Sequence, residues 1–248
     1  MAEVIELKAT DLAAMLCSRV CHDLINPVGA IGNGLEVLAD PSQAEMAPFA
    51  QDLIANAAKQ ARAKLEFARL AYGASSTAGT DFDTRECERV AQLLFEIEKA
   101  ELNWTVTPML MPKHKAKLLM NMLLIAAAAV PRGGLVTVTV EGAAGAEAFR
   151  ITAKGDKVYL PAGSEDLLSG TPPEGVDARG IQPFYTGLLA RMTGMELKIW
   201  LEEKQFFFTA TPKAEADEAA EAPAGAAGDE VPPEAGSEPF APTDEKSA

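Results

Sequence analysis

The sequence is short of cysteine, of positive charge and of long hydrophobic runs. Its cysteines are too few for a disulfide scaffold and suit a reducing compartment; the three are Cys17, Cys21 and Cys87. The net charge of −14 argues against nucleic acid or an anionic membrane surface as the partner. The longest apolar run, Leu118 to Val130, is shorter than the roughly 20 residues that span a bilayer. The segment from Met1 to Lys8 lacks the features of a signal peptide. We therefore expect a soluble, cytoplasmic protein.

Two long helical patterns begin the chain, whose hydrophobic share of 48% predicts a folded core. The first pattern runs from Leu12 to Leu38, and the second runs from about Ser42 to Tyr72. The turn between them is so tight that the two helices should form an antiparallel hairpin, which we assign to residues 1–75. The first helix carries one apolar stripe, formed by Leu16, Leu24, Pro27, Val28, Ile31, Leu35 and Leu38.

The apolar stripes of this hairpin need more cover than its two helices give each other. Each helix has a single neighbour, whereas both stripes are broad. A four-helix bundle made by two copies of the chain would cover them, so we expect a homodimer. The alternative is that the C-terminal part of the same chain packs over the hairpin.

A second domain is predicted over residues 76–212. It follows the linker composition of Gly73 to Gly79 and then alternates helices with mostly antiparallel strands, which is typical of a two-layer α/β sandwich. The fold class is therefore α+β. Residues 213–248 contain ten acidic residues, two lysines and a single aromatic residue, Phe240, so we expect a disordered acidic tail.

His22 is the first candidate for chemistry. At 100° per residue it falls about 200° from Val20, on the side of the helix opposite the apolar stripe, so its imidazole should face solvent. Apolar side chains and a glycine share this side, which suggests a docking surface; the residues are Met15, Ser18, Ile25, Asn26, Gly29 and Asn33. The alternative is that His22 is an ordinary exposed residue.

The sequence around His22 resembles a known phosphorylation motif. His22 is followed by Asp23, and Pro27 comes five residues after the histidine inside a helical pattern. This order resembles the phospho-acceptor H box of dimeric histidine kinases. A proline inside a helix removes one backbone hydrogen bond and is seldom kept without a reason.

The second domain resembles the ATP-binding domain of the same kinases, the GHKL type, but in a degenerate form. The helix around Asn121 looks like the N-box helix, yet Ile125 stands where the Mg²⁺-binding asparagine is expected. The glycine-rich boxes have changed in the same way, because the expected aspartate and glycines are replaced by Ala153, Lys157, Phe184 and Tyr185. These side chains offer no carboxylate for adenine and no oxygen ligand for Mg²⁺. We expect a pocket that is filled or unable to bind ATP.

An H-box hairpin without a working nucleotide domain resembles the alphaproteobacterial histidine phosphotransferases of the ChpT type. The resemblance covers roughly Thr10 to Pro212. It implies a cytoplasmic homodimer that relays phosphoryl groups from the receiver domain of a hybrid kinase (CckA-like) to response regulators (CtrA-like and CpdR-like). Two alternatives remain open: a non-catalytic dimeric scaffold that binds receivers, and a residual histidine kinase.

The relay hypothesis assigns a role to each residue near the histidine. His22 would be the phospho-acceptor, and Asp23 would orient it or merely solvate the helix. Asn26 would bond to the phosphoryl group or accommodate the proline. The receiver platform would consist of Met15, Ser18, Arg19, Ile25, Gly29 and Asn33. We expect no cofactor or metal on this chain, because receiver domains carry their own Mg²⁺.

Overall fold

The computed structural model describes residues 4–73, 81–143 and 145–213. The predicted tail therefore lies outside the described residues, apart from Lys213, as does most of the predicted linker. The chain begins with α1 (Ala9–Ala39), continues through a 3₁₀ turn (Pro41–Met46), and returns along α2 (Ala47–Ala71). The turn is fixed by the Asp40 carboxylate, which accepts hydrogen bonds from the backbone N–H and the hydroxyl of Ser42. The predicted hairpin is confirmed.

The second part of the chain is an α/β sandwich, also as predicted. Its elements in chain order are β1 (Asp81–Asp83), α3 (Thr84–Phe95), β2 (Ala100–Trp104), β3 (Leu110–Pro112), α4 (Lys113–Ala128), β4 (Gly134–Glu141), β5 (Ala148–Lys154), α5 (Ser164–Ser169), α6 (Ile181–Met192), β6 (Met195–Glu202) and β7 (Gln205–Pro212). Five strands form one sheet in the order β2-β4-β5-β7-β6. Only the β2–β4 pair of this sheet is parallel, while β1 and β3 pair separately.

One face of the sheet packs against the helices, and the core lies between them. The strands alternate buried and more exposed residues, so that Val136, Ile151 and Phe208 point into the core. Helix α4 contributes buried side chains along most of its length, which explains why it appears in the sequence as a continuous apolar run. This helix is the centre of the sandwich.

Hairpin and sandwich are joined by direct contacts. The side-chain amide of Asn121 on α4 donates a hydrogen bond to the carbonyl of Ala71 at the end of α2, at 3.1 Å. The N–H of Ile5 bonds to the carbonyl of Gly170, so the segment before α1 is also fixed to the sandwich. The chain up to Lys213 forms one compact unit. The boundary between residues 75 and 76 stays a prediction.

Within one chain the apolar stripe of α1 is only partly buried. Pro27 is buried against the rest of the fold, but Val28 and Leu35 are each 54% exposed and Leu38 is also exposed. The reason is that α2 covers one side of α1 and leaves the adjacent side open. None of the helices in the described ranges is long and apolar enough to cross a membrane.

Candidate functional site

His22 stands on the solvent side of α1, where the helical periodicity places it. Its side chain is 80% exposed. The ring atom Nδ1 lies 3.4 Å from Oδ1 of Asp23, the next residue along the helix. The other ring nitrogen, Nε2, is directed away from that carboxylate by the geometry of the five-membered ring. An imidazole in this position can meet an atom brought by another molecule.

Asp23 is held from two sides. Its carboxylate accepts a hydrogen bond from Nε of Arg19, one turn earlier on α1, at 3.0 Å. Its backbone carbonyl accepts a hydrogen bond from Nζ of Lys64 on α2, at 3.3 Å. Each side chain of the Arg19–Asp23 pair is about one third exposed, so solvent weakens the ion pair but does not remove its orienting effect.

Most of the predicted receiver platform is accessible. Ser18, Ile25, Gly29 and Asn33 are exposed on α1 together with His22 and Asn26. A Cβ atom added at Gly29 would meet no other atom within 4 Å, so another molecule can approach the backbone there. Two predicted platform residues differ from this group, since Met15 is partly buried and Arg19 bonds to Asp23.

Four of the five substituted positions of the predicted degenerate nucleotide site lie in the interior of the sandwich, whereas the fifth, Lys157, is exposed. Ile125 is 3% exposed near the end of α4, and Ala153 is completely buried in β5. Phe184 and Tyr185 are buried on α6. Gly187, which the sequence retains from the last glycine-rich box, packs so tightly on the backbone of Leu168 that any side chain would clash there. Packing within the sandwich is therefore sufficient reason for this glycine.

A groove of about 750 Å³ remains beside the end of α4. Its walls include Ile125, Tyr159 and the segment before α6, and they reach Arg19 of the hairpin. The carboxylate of Asp177 on its wall already accepts hydrogen bonds from the backbone N–H groups of Arg179 and Gly180. Within the described ranges, no group of three or more His, Cys, Asp or Glu side chains is arranged to hold a metal ion.

Sequence reasoning missed Lys64 as a neighbour of the site. The position of Pro27, four residues after Asp23, does indicate that the Asp23 carbonyl lacks its helical donor. Nothing in the sequence indicates which residue of the second helix would replace that donor.

Comparison with known proteins gives a consistent result. The profile of the family "Histidine phosphotransferase C-terminal domain" matches residues 84–205. The protein phosphotransferase ChpT of Brucella abortus (strain 2308) is 44% identical over 211 residues, which is 85% of this chain and the whole of that protein.

A solved structure agrees with this relative. A structure at 1.7 Å described as a bacterial phosphotransferase is 43% identical, covers 84% of this chain and all of its own, and superimposes with a TM-score of 0.77. The histidine kinase AdeS of Acinetobacter baumannii aligns over 77% of this chain and 96% of its own, with 13% identity and a TM-score of 0.40.

Proposed function

Since the chain belongs to the family of ChpT-type histidine phosphotransferases, we propose that it relays a phosphoryl group between receiver domains through His22. The observation that carries this proposal is the presentation of the imidazole, which is 80% exposed beside a carboxylate. The exposed side of α1 around it offers room for a partner protein.

The proposed chemistry consists of two transfers. The neutral imidazole attacks the phosphorus of an aspartyl phosphate on a docked receiver through Nε2, so that a P–N bond forms and the P–O bond to the receiver's carboxylate breaks. A carboxylate on a second receiver then attacks the phosphohistidine, and the imidazole leaves. Asp23 accepts the Nδ1 proton in a hydrogen bond that keeps the lone pair on Nε2 and stabilises the ring as it gains positive charge.

The receivers dock on the exposed side of α1. Ser18, Ile25, Gly29 and Asn33 form the surface next to His22, and Met15 borders it. Asn26, one turn after His22, is exposed and can donate to a phosphoryl oxygen. The family suggests a hybrid-kinase receiver as donor and response regulators as acceptors. Mg²⁺ is supplied by the receiver that brings the aspartyl phosphate.

The relay works without ATP on this chain. The residues at the positions that would hold Mg²⁺ and adenine are Ile125 and Ala153, both apolar and buried, and they support this part of the proposal. The groove beside Ile125 is lined largely by apolar side chains, and the Asp177 carboxylate on its wall is already bonded to backbone N–H groups.

Two copies of the chain form the working molecule. Val28 and Leu35 lie seven residues apart on one side of α1, and both are more than half exposed. Phe49 and Leu65 on α2 are exposed as well. A four-helix bundle of two hairpins would remove these apolar side chains from water. The cytoplasm suits the exposed thiols of Cys17 and Cys21.

A three-protein assay tests the relay against its alternatives. A receiver carrying a labelled aspartyl phosphate is mixed with the chain, and a second receiver is then added. The relay predicts label first on this chain and then on the second receiver. Binding without label on this chain would favour a scaffold. In a separate tube, label taken from ATP would show a residual kinase.

A further inference from the structure

Pro27 leaves the carbonyl group of Asp23 without its usual helical partner. In an α-helix the N–H of residue 27 would bond to the carbonyl of residue 23, and proline has no N–H to donate. Helix α1 nevertheless continues through this point to Ala39. The carbonyl that the proline leaves free is the one that Lys64 reaches from α2. A charged donor is a strong replacement for the missing backbone hydrogen bond.

Arg19 binds the side-chain carboxylate of Asp23. Its Nε donates to Oδ2 of Asp23 at 3.0 Å, while Oδ1 of the same carboxylate lies 3.4 Å from Nδ1 of His22. One oxygen is therefore held by the guanidinium and the other faces the imidazole. A carboxylate fixed in this way presents Oδ1 to the ring in one orientation.

Arg19 and Lys64 lie beside Asp23 where the hairpin meets the sandwich. Both line a cavity of about 120 Å³ with Asp23, Tyr72 and Glu98. The hydroxyl group of Tyr72 is buried there and finds no hydrogen-bond partner among the described residues. Burial raises the pKa of this hydroxyl above its usual value, with the charges of Arg19 and Asp23 acting on it in opposite directions.

We infer that Arg19 and Lys64 are positioning residues for phosphoryl transfer that act through Asp23. We call these two residues the Asp23 clamp. The inference rests on the proposed role of His22. The clamp fixes the carbonyl and the carboxylate of Asp23, and Asp23 in turn sets the orientation of the imidazole. Arg19 is therefore assigned to the interior of the site rather than to the receiver platform on which the sequence placed it.

The test begins with the rate of transfer at saturating receiver. Because a small misplacement of a reacting group costs a large factor in rate, we expect Arg19→Gln and Lys64→Met each to slow transfer about tenfold, with little change in KM. Lys59→Met is the matched control on α2, because Lys59 is paired with Glu96 away from His22. It should transfer at the wild-type rate. A raised KM with an unchanged saturating rate would show that Arg19 contacts the receiver, and would overturn its role in the clamp.

Two double variants test whether the effects pass through Asp23. Arg19→Gln should add nothing to the loss caused by Asp23→Asn, whereas independent roles would multiply the two losses. In a Pro27→Ala background a backbone N–H again faces the Asp23 carbonyl. Lys64→Met should then cost less than threefold, compared with about tenfold in the wild-type background. A tenfold loss in both backgrounds would overturn the role of Lys64.

The variants distinguish an error in the clamp hypothesis from an error in the relay hypothesis. If His22→Ala still accepts label, the proposed function is wrong. If His22→Ala loses all label but Arg19→Gln and Lys64→Met transfer at the wild-type rate, only the clamp is wrong. Circular dichroism melting curves identify any variant that fails to fold, and Arg19→Lys gives a second, milder variant at that position. It retains the charge without the Nε geometry and should lie between wild type and Arg19→Gln.

Discussion

In the hairpin two asparagine side chains on the His22 side of α1 face solvent, whereas in the sandwich the polar side chains of α4 and α6 bond to one another in the interior. Asn26 and Asn33 on α1 are exposed. Asn121, Gln182 and Thr186 are buried and are connected by hydrogen bonds. The amide group of Asn121 also bonds to the carbonyl of Ala71. The hairpin therefore leaves these polar groups available to a partner, while the sandwich uses its polar groups for internal contacts and for the bond that joins it to the hairpin.

The largest expected effect separates the two histidines of the chain. His22→Ala should abolish transfer of label from a phosphorylated receiver, because the nucleophile is gone. His114, exposed at the start of α4, supplies the matched control on the sandwich, and His114→Ala should transfer label at the wild-type rate. Label is measured on the chain after gel electrophoresis. Equal labelling of the two variants would mean that His22 is not the phospho-acceptor and that the hairpin does not differ from the sandwich in this respect.

Charge on the open side of α1 should separate the two copies of the chain. The double variant Val28→Glu and Leu35→Glu would have to bury two carboxylates at the proposed interface. This should raise the dissociation constant of the dimer more than about 100-fold. The control is Met192→Glu, at a position on the sandwich that is 58% exposed. Sedimentation velocity should show monomers for the first variant and dimers for the second. Dimers in both cases would mean that the interface lies elsewhere.

The buried ion pair of the sandwich should contribute to stability but not to transfer. Nζ of Lys115 lies 2.6 Å from Oε2 of Glu147, and the N–H of Gly145 bonds to the other oxygen. Burial raises the pKa of Glu147, but these hydrogen bonds outweigh it and leave the pKa below its usual value. Glu147→Gln should lower the free energy of unfolding by about 3 kcal/mol at pH 7, because a buried lysine loses its partner.

The same ion pair gives a pH dependence of known sign. A carboxyl group with a lowered pKa stabilises the folded state above its ordinary pKa, and this stabilisation disappears as pH falls through the folded-state value. The difference in unfolding free energy between wild type and Glu147→Gln should therefore shrink below about pH 4.5. Urea titrations at several pH values measure it. A difference that stays constant down to pH 3 would contradict the assignment.

The smallest effect is expected at the junction of hairpin and sandwich. Asn121→Leu leaves the buried Ala71 carbonyl without its side-chain donor, which should cost about 2 kcal/mol of unfolding free energy. Asn103→Leu, at an exposed position of β2, should cost much less. Both variants should transfer label at rates close to wild type at a temperature well below unfolding. Loss of transfer in Asn121→Leu would show that the sandwich takes part in the chemistry.

The elements of the fold could be predicted because periodicity determines them locally. The two hairpin helices lie close to where their patterns placed them, since α1 spans Ala9–Ala39 and α2 spans Ala47–Ala71. The exposed side of α1 at His22 follows from the same periodicity. Periodicity identified Val28 and Leu35 as part of the apolar side of α1, but it does not identify the molecule that covers them, and in the single chain both are exposed.

The contacts between distant parts of the chain could not be predicted. The bond from Lys64 to Asp23 joins residues 41 positions apart, and the bond from Asn121 to Ala71 joins residues 50 apart. Such pairs depend on how the two helices and the sandwich are placed in space, which no local pattern specifies. Lys64 on its own looks like any other lysine on a helix surface.

The most direct measurement is an NMR spectrum of the two histidine rings, recorded with ¹⁵N-labelled chain before and after mixing with a phosphorylated receiver. The account predicts that the ring signals of His22 change to those of a phosphohistidine substituted at Nε2, and that they return when a second receiver is added. The signals of His114 should stay unchanged throughout. Phosphate on this chain with an unchanged His22 ring would contradict the account.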